Sequence, residues 1–201
     1  LLRLISEETA ANLRSLSAKK KLAFAVLLFE RMVPELQSFI AAEHRNFSPF
    51  QRAREKFWRS LMDEGSSDEW PQLREAILEA TPDSEDYGSI AASFALNAAL
   101  VAANIAEFLT DGQDSHLVEA IGYARDSLDA NATNEIGASV YNGAVENYVK
   151  AHPLVQKERQ AEEDDVAFLS KLPDGPWPAN IFSTLQHRAD TQRGLLDKVF
   201  P

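Results

Sequence analysis

Residues 88–110, GSIAASFALNAALVAANIAEFLT, hold eight alanines, no proline, and no charge between Asp86 and Glu107. Helix propensity and burial point the same way here, so the stretch predicts a central helix. Alanine is small enough to let neighbouring helices approach on every face, which makes this helix a hub. The uncharged run from Tyr87 to Ala106 also reaches the roughly 20 residues that a bilayer span requires. Alanine contributes little transfer energy, Asn97 and Asn104 would need partners in lipid, and the flanks (Asp83, Glu85, Asp86, Asp111, Asp114) are acidic. A buried helix of a soluble protein fits better than a span without Lys/Arg anchors.

Upstream, residues 6–9 can open a short first helix with Leu13 and Leu16 turned inward after apolar Leu1, Leu2, Leu4 and Ile5. Ser17 caps a second helix that is apolar on nearly all faces up to Glu30 and Arg31, and Pro34 predicts a bend at Val33 before a third. Ser48-Pro49 starts an amphipathic helix with Phe50, Ala53, Phe57 and Leu61 inward, residues 65–68 form a loop, and Pro71 opens a short helix.

Downstream, Leu117, Ile121, Ala124 and Leu128 define another inward face. The helix signal weakens over residues 131–143, where a break or kink is expected, although Ile136, Val140, Ala144 and Tyr148 can still form one face. His152-Pro153 opens a helix reaching Leu172, PDGPWP at 173–178 is a turn, and Phe182, Leu185, Ala189, Leu196 and Val199 stripe a last helix. The expected fold is all-α, a single domain over residues 1–201 with about eight helices around the one at 88–110.

The chain resembles the YjaG-like family of bacterial proteins, a domain of unknown function. The resemblance rests on Glu30-Arg31-Met32 followed by Pro34, on Tyr87-Gly88 opening a small-residue helix, and on Pro153-x-Val155-x-x-Glu158 opening an acidic one. These anchors run from roughly residue 15 to 172; residues 113–150 match poorly, His152 stands where the resemblance leads one to expect asparagine, and Asn97 stands near where it leads one to expect an acid. The resemblance implies an all-α fold and a bacterial cytoplasmic setting, and it implies no chemistry, because the family has no established activity.

Composition narrows the function classes. The chain has no cysteine, which excludes disulfides, thiolate metal sites and cysteine nucleophiles and fits a reducing cytoplasm. No targeting segment is evident. The net charge of −11 opposes general nucleic-acid binding, but residues 1–60 carry +5 and residues 61–201 carry −16, so basic and acidic parts can meet within or between chains. A bundle metal site needs Glu-x-x-His pairs, and the residues three before the four histidines are Ala41, Gln113, Val149 and Thr184. His116-x-x-Glu119 and His187-x-x-Asp190 have the reverse order. With no phosphate-binding glycine motif and no nucleophile elbow, neither metal nor cofactor is expected.

Two polar features stand out. In the run QKERQAEEDD at 156–165, Glu158, Glu162 and Asp165 share a face that reads as solvated, with Arg159 paired to Glu163, or as an acidic surface for a cation or basic partner. On the central helix Ser93, Asn97, Asn104 and Glu107 form a stripe with Leu100, at steps of four, three, four and three. Buried amides need partners, and Glu30 and Arg31 are the candidates. The expected function is a non-catalytic structural or protein-interaction domain, with a homo-oligomer or protein as partner. The alternatives are an enzyme or small-ligand binder with a pocket beside the central helix, and weak nucleic-acid association through Arg45, Arg52, Arg54, Lys56 and Arg59.

Overall fold

A computed structural model describes residues 7–63, 69–83, 87–137 and 142–193. The expectations for Leu1–Ile5, the 65–68 loop, Glu85, Asp86, Val140, Leu196 and Val199 lie outside them. The described residues form one bundle of nine helices and no strand: α1 (Glu7–Ser15), α2 (Ala18–Ala42), α3 (Ser48–Leu61), α4 (Trp70–Ala80), α5 (Ile90–Asp111), α6 (Asp114–Glu135), α7 (Gly143–Ala151), α8 (Pro153–Ser170) and α9 (Ala179–Gln192).

The alanine-rich stretch becomes α5. Its start is set by Ser89, whose Oγ accepts from the Ala92 N–H at 3.1 Å, and its end by Gly112. Gly112 adopts φ 72°, a left-handed conformation open to glycine, and donates to the Phe108 carbonyl at 2.8 Å. Ala92, Ala95, Ala98, Ala99, Ala102 and Ala106 are fully buried. Their small side chains let α2, α4 and α6 close on three sides, with α3 touching as well. α5 has the length and hydropathy of a membrane span, yet it lies largely inside the bundle, as a core helix does.

The hub is shared. α2 packs on α3, α5, α6, α8 and α9, and every residue from Leu22 to Val33 is buried. Phe29 meets Phe57 of α3 edge-on at 6.0 Å, and Phe57 stacks on Trp70 of α4 at 6.4 Å, which closes the seam between those helices.

α2 corrects one expectation: it runs unbroken through Pro34. An interior proline costs a helix about 3 kcal/mol. A bend at Val33 would pull Met32, Val33, Leu36, Phe39 and Ile40 from a core in which all five are buried. Each such side chain is worth about 1.5–3 kcal/mol buried, so the core wins. A second correction concerns the break after α6. The chain does turn at Ile136-Gly137, with Gly137 at φ 60°, and Asn142 caps α7 by accepting from the Ala144 and Val145 N–H groups. However, Ile136 and Tyr148 are exposed, and the buried face of α7 carries Val145 and Val149.

The uneven charge is used inside the chain. At the start of α2, Lys19 pairs with Asp63 at 2.6 Å, Lys20 with Asp174 at 2.8 Å, and Lys21 with Asp114 at 2.6 Å. The three lysines thereby tie down the end of α3, the 173–178 turn and the start of α6.

Candidate binding cleft and the ion network beneath it

Glu30 and Arg31 are fully buried charges near the middle of α2. Such groups require both ionic and hydrogen-bonding partners. The Glu30 carboxylate has three donors. Arg54 Nε (2.6 Å) and Trp58 Nε1 (2.7 Å), both from α3, donate to Oε1, while Arg193 donates from Nε (3.1 Å) and Nη2 (2.6 Å) to Oε2.

Arg31 turns the other way. Its Nε donates to Glu158 at 2.8 Å, and its Nη1 donates to Asp165 at 2.7 Å and to the Gln192 side chain at 2.9 Å. Asp165, itself fully buried, also accepts from Arg188 Nη2 at 2.8 Å and Gln192 Nε2 at 3.0 Å. Burial alone would lower the Arg31 pKa, but Glu158 and Asp165 outweigh it and raise it, so the guanidinium stays charged.

The acidic face of α8 therefore corrects its first reading. Glu158, Glu162 and Asp165 are buried, and their basic partners are Arg31, Arg125 and Arg188 of the same chain. Arg159 does pair with Glu163, at 3.1 Å. Glu162 accepts from Arg125 Nη2 at 3.0 Å, while its Oε1 finds no partner among the described residues. Burial pushes its carboxyl up to about 7; Arg125 opposes the shift and Glu158 adds to it. Nearby on α6, burial and Asp126 push Asp129 up to about 6 against Arg125.

The stripe on α5 stands apart from this network. Ser93 donates to the Ser89 carbonyl at 3.4 Å, Asn97 to Ser127 of α6 at 3.0 Å, and Asn104 to the Leu100 carbonyl at 2.9 Å. Glu107 pairs with Arg74 of α4 at 2.5 Å and lies 3.2 Å from His116. Glu30 and Arg31 are directed to α3, α8 and α9, so the six residues do not form one cluster. The stripe is an edge of α5 along α4 and α6: Ser93 and Asn104 bond locally, while Asn97 and Glu107 reach α6 and α4.

The histidines have local roles. His116 sits between Glu107 and Asp111, which is 3.0 Å away, and does not pair with Glu119. His152 caps α8: Nδ1 accepts from the Leu154 N–H at 3.3 Å, leaving Nε2–H to donate to Glu135 at 3.0 Å. Among the described residues no group of three or more His, Asp or Glu side chains is placed to hold a metal ion.

Above Glu30 lies an open cleft of about 720 Å³. One wall is α3, with Gln51, Arg54, Glu55, Trp58 and Arg59; the other is α9, with Gln186, Ala189, Asp190 and Arg193; Gln37 and Phe47 also line it. No residue of α5 lines it, so it is not the pocket beside the central helix that the sequence suggested. The cleft was not legible because its walls lie some 130 residues apart in the chain. Of the other α3 cations, Arg52 and Lys56 reach Glu69; Arg45, in the segment before α3, reaches the Ala80 and Thr81 carbonyls at 3.4 and 3.3 Å. The basic residues of the front third are thus divided among separate acceptors.

Fold and site together define an all-α bundle organised by buried ion pairs, with a polar cleft between its third and last helices. The chain belongs to the DUF416 family, proteins of unknown function, which matches residues 8–182. This is the family to which the YjaG-like resemblance pointed. A DUF416 family protein from Shewanella baltica OS155, known from a crystal structure, superposes with a TM-score of 0.81 at 17% identity, covering 90% of this chain and 92% of that one. At that identity the likeness concerns the fold. No curated protein matches the chain.

Proposed function

We propose that this chain is a non-catalytic binding domain of the bacterial cytoplasm, and that its ligand or partner docks in the cleft between α3 and α9. One observation carries the reading: a single buried carboxylate, Glu30, fixes Arg54 and Trp58 on one wall and Arg193 on the other. Side chains locked before binding lose little entropy on binding, which is how a small polar cleft gains affinity. Its volume lies in the range of ligand sites. The chemistry favours binding over turnover. Arginine does not act as a proton acceptor near neutral pH, Asp190 is bound to Arg193 at 3.1 Å, and Glu55 accepts from Gln51 at 3.1 Å.

A panel of metabolites and short peptides screened by thermal shift tests this. Hits should move the Trp58 indole N–H resonance, leave those of Trp70 and Trp177 in place, and be recovered chemically unchanged. A panel without hits, hits that map elsewhere, or a consumed hit would overturn it.

A further inference from the structure

The donors left over in the cleft name a ligand chemistry, and the inference rests on the cleft reading above. Arg54 engages Glu30 through Nε alone, so its two terminal nitrogens lie outside that ion pair in a residue that lines the cleft and is about one-third exposed. Arg193, by contrast, has Nε and Nη2 on Glu30 and Nη1 on Asp190. The terminal edge of a guanidinium is a planar fork of donors that matches two oxygens of one carboxylate or phosphate. Trp58 fixes the depth of this fork, since its indole N–H donates to the same Glu30 oxygen one helical turn further along α3.

The surroundings agree. The lining carries three guanidinium groups, Arg54, Arg59 and Arg193, against two carboxylates, Glu55 and Asp190, and both carboxylates already accept from a neighbour. Gln37, Gln51 and Gln186 add side-chain amides around the fork. Further along α3, burial and then Arg52 and Arg59 hold the Lys56 pKa below its ordinary value. With Glu30 beneath them, the cleft groups come close to neutral. Recognition therefore rests on a directional fork and not on a broad positive field, and a polyanion such as nucleic acid is disfavoured in a chain of net charge −11.

We infer that the cleft between α3 and α9 is an oxyanion site, in which a single carboxylate or phosphate group of the ligand is held end-on by the terminal nitrogens of Arg54 beside Trp58.

The test is titration of the folded chain with sodium phosphate and with sodium succinate, against sodium chloride at matched ionic strength, read by the Trp58 indole resonance. Wild type should show saturable shifts with phosphate, with succinate or with both, and none with chloride; the stronger ligand tells which source of oxyanion the cleft takes. Arg54→Lys keeps a cation for Glu30 and removes the fork, so it should remain folded and bind at least tenfold more weakly. Undiminished binding by Arg54→Lys, or equal shifts with chloride, would overturn the inference. If neither anion moves Trp58 while a neutral or cationic compound from the panel does, the oxyanion assignment fails and the cleft reading stands. If nothing moves Trp58, both fail. The wild-type titration decides the matter even if a variant unfolds.

Discussion

Glu30 and Arg31 are adjacent on α2, and adjacent residues Gln192 and Arg193 at the end of α9 answer them: Arg193 binds Glu30, and Gln192 bonds Arg31. Successive residues on a helix point about 100° apart. The pair therefore serves two sides, Glu30 facing the cleft and Arg31 facing α8, while α9 lies across both. The last helix is held by charge as much as by its two buried apolar side chains, Leu185 and Ala189.

Removing Arg31 should therefore be severe. Arg31→Met strands Glu158 beside Glu162 and deprives Asp165 of one of its two arginines, and breaking a buried pair from one side costs about 3–5 kcal/mol. Replacing the set together, as Arg31→Met with Glu158→Leu and Asp165→Leu, should recover part of that loss, less what Arg188 forfeits. Urea denaturation of the two variants measures the difference.

Glu162 sets a pH dependence. Its folded pKa, about 7, lies above its ordinary value of 4.5, so the folded state holds the proton more tightly. Its contribution is most favourable below the ordinary value and is lost as pH rises through 7, with Asp129 adding in the same direction up to about 6. Asp111, Glu135, Glu146 and Asp174 have lowered pKa values from hydrogen bonds and neighbouring cations, so their stabilisation is lost as pH falls below about 4. The melting temperature should peak near pH 5 and decline toward pH 8. Glu162→Gln should flatten the decline, and an unchanged slope in that variant would refute the assignment.

How far the fold was legible follows from where its signals lie. The α5 hub was readable because high alanine content, the absence of proline and the absence of charge agree within one window. The inward faces of α3 and α6 were readable because Phe50, Ala53, Phe57 and Leu61, and Leu117, Ile121, Ala124 and Leu128, recur at helical spacing and are all buried. The network was half readable. The shared face of Glu158, Glu162 and Asp165 was visible, but its burial was not, because nothing local announces Arg31, Arg125 and Arg188 opposite it. A charged helix face with cations waiting on three other helices has the same local sequence as a solvated one. Pro34 misled for the opposite reason, a strong local signal overridden by tertiary packing.

That override is itself testable. Pro34→Ala restores an N–H at the point where α2 lacks one, next to the Glu30 turn that carries the network. The helix already passes through this position, so the variant should be more stable, by about 1–2 kcal/mol after allowing for the greater freedom of the unfolded chain. Calorimetry should show a raised melting temperature. A fall would mean that the geometry proline imposes is needed to aim Glu30 and Arg31.

The two asparagines of the α5 stripe should respond in opposite ways. Asn97 donates across the helix interface to Ser127, whose own hydroxyl donates on to the Tyr123 carbonyl at 3.2 Å, so it is one link in a chain joining α5 to α6. Asn97→Leu breaks that link and should cost about 0.5–1.5 kcal/mol, seen as a lower melting temperature. Asn104 is buried and donates to its own helix at Leu100, while its Oδ1 finds no partner among the described residues. An unpaired buried oxygen costs about 1–3 kcal/mol, so Asn104→Leu removes a penalty and adds apolar contact between α5 and its neighbours. That variant should match or exceed wild-type stability. If instead Asn97→Leu is fully stable and Asn104→Leu is damaged, the polarity of this edge serves something other than the joint between α5 and α6.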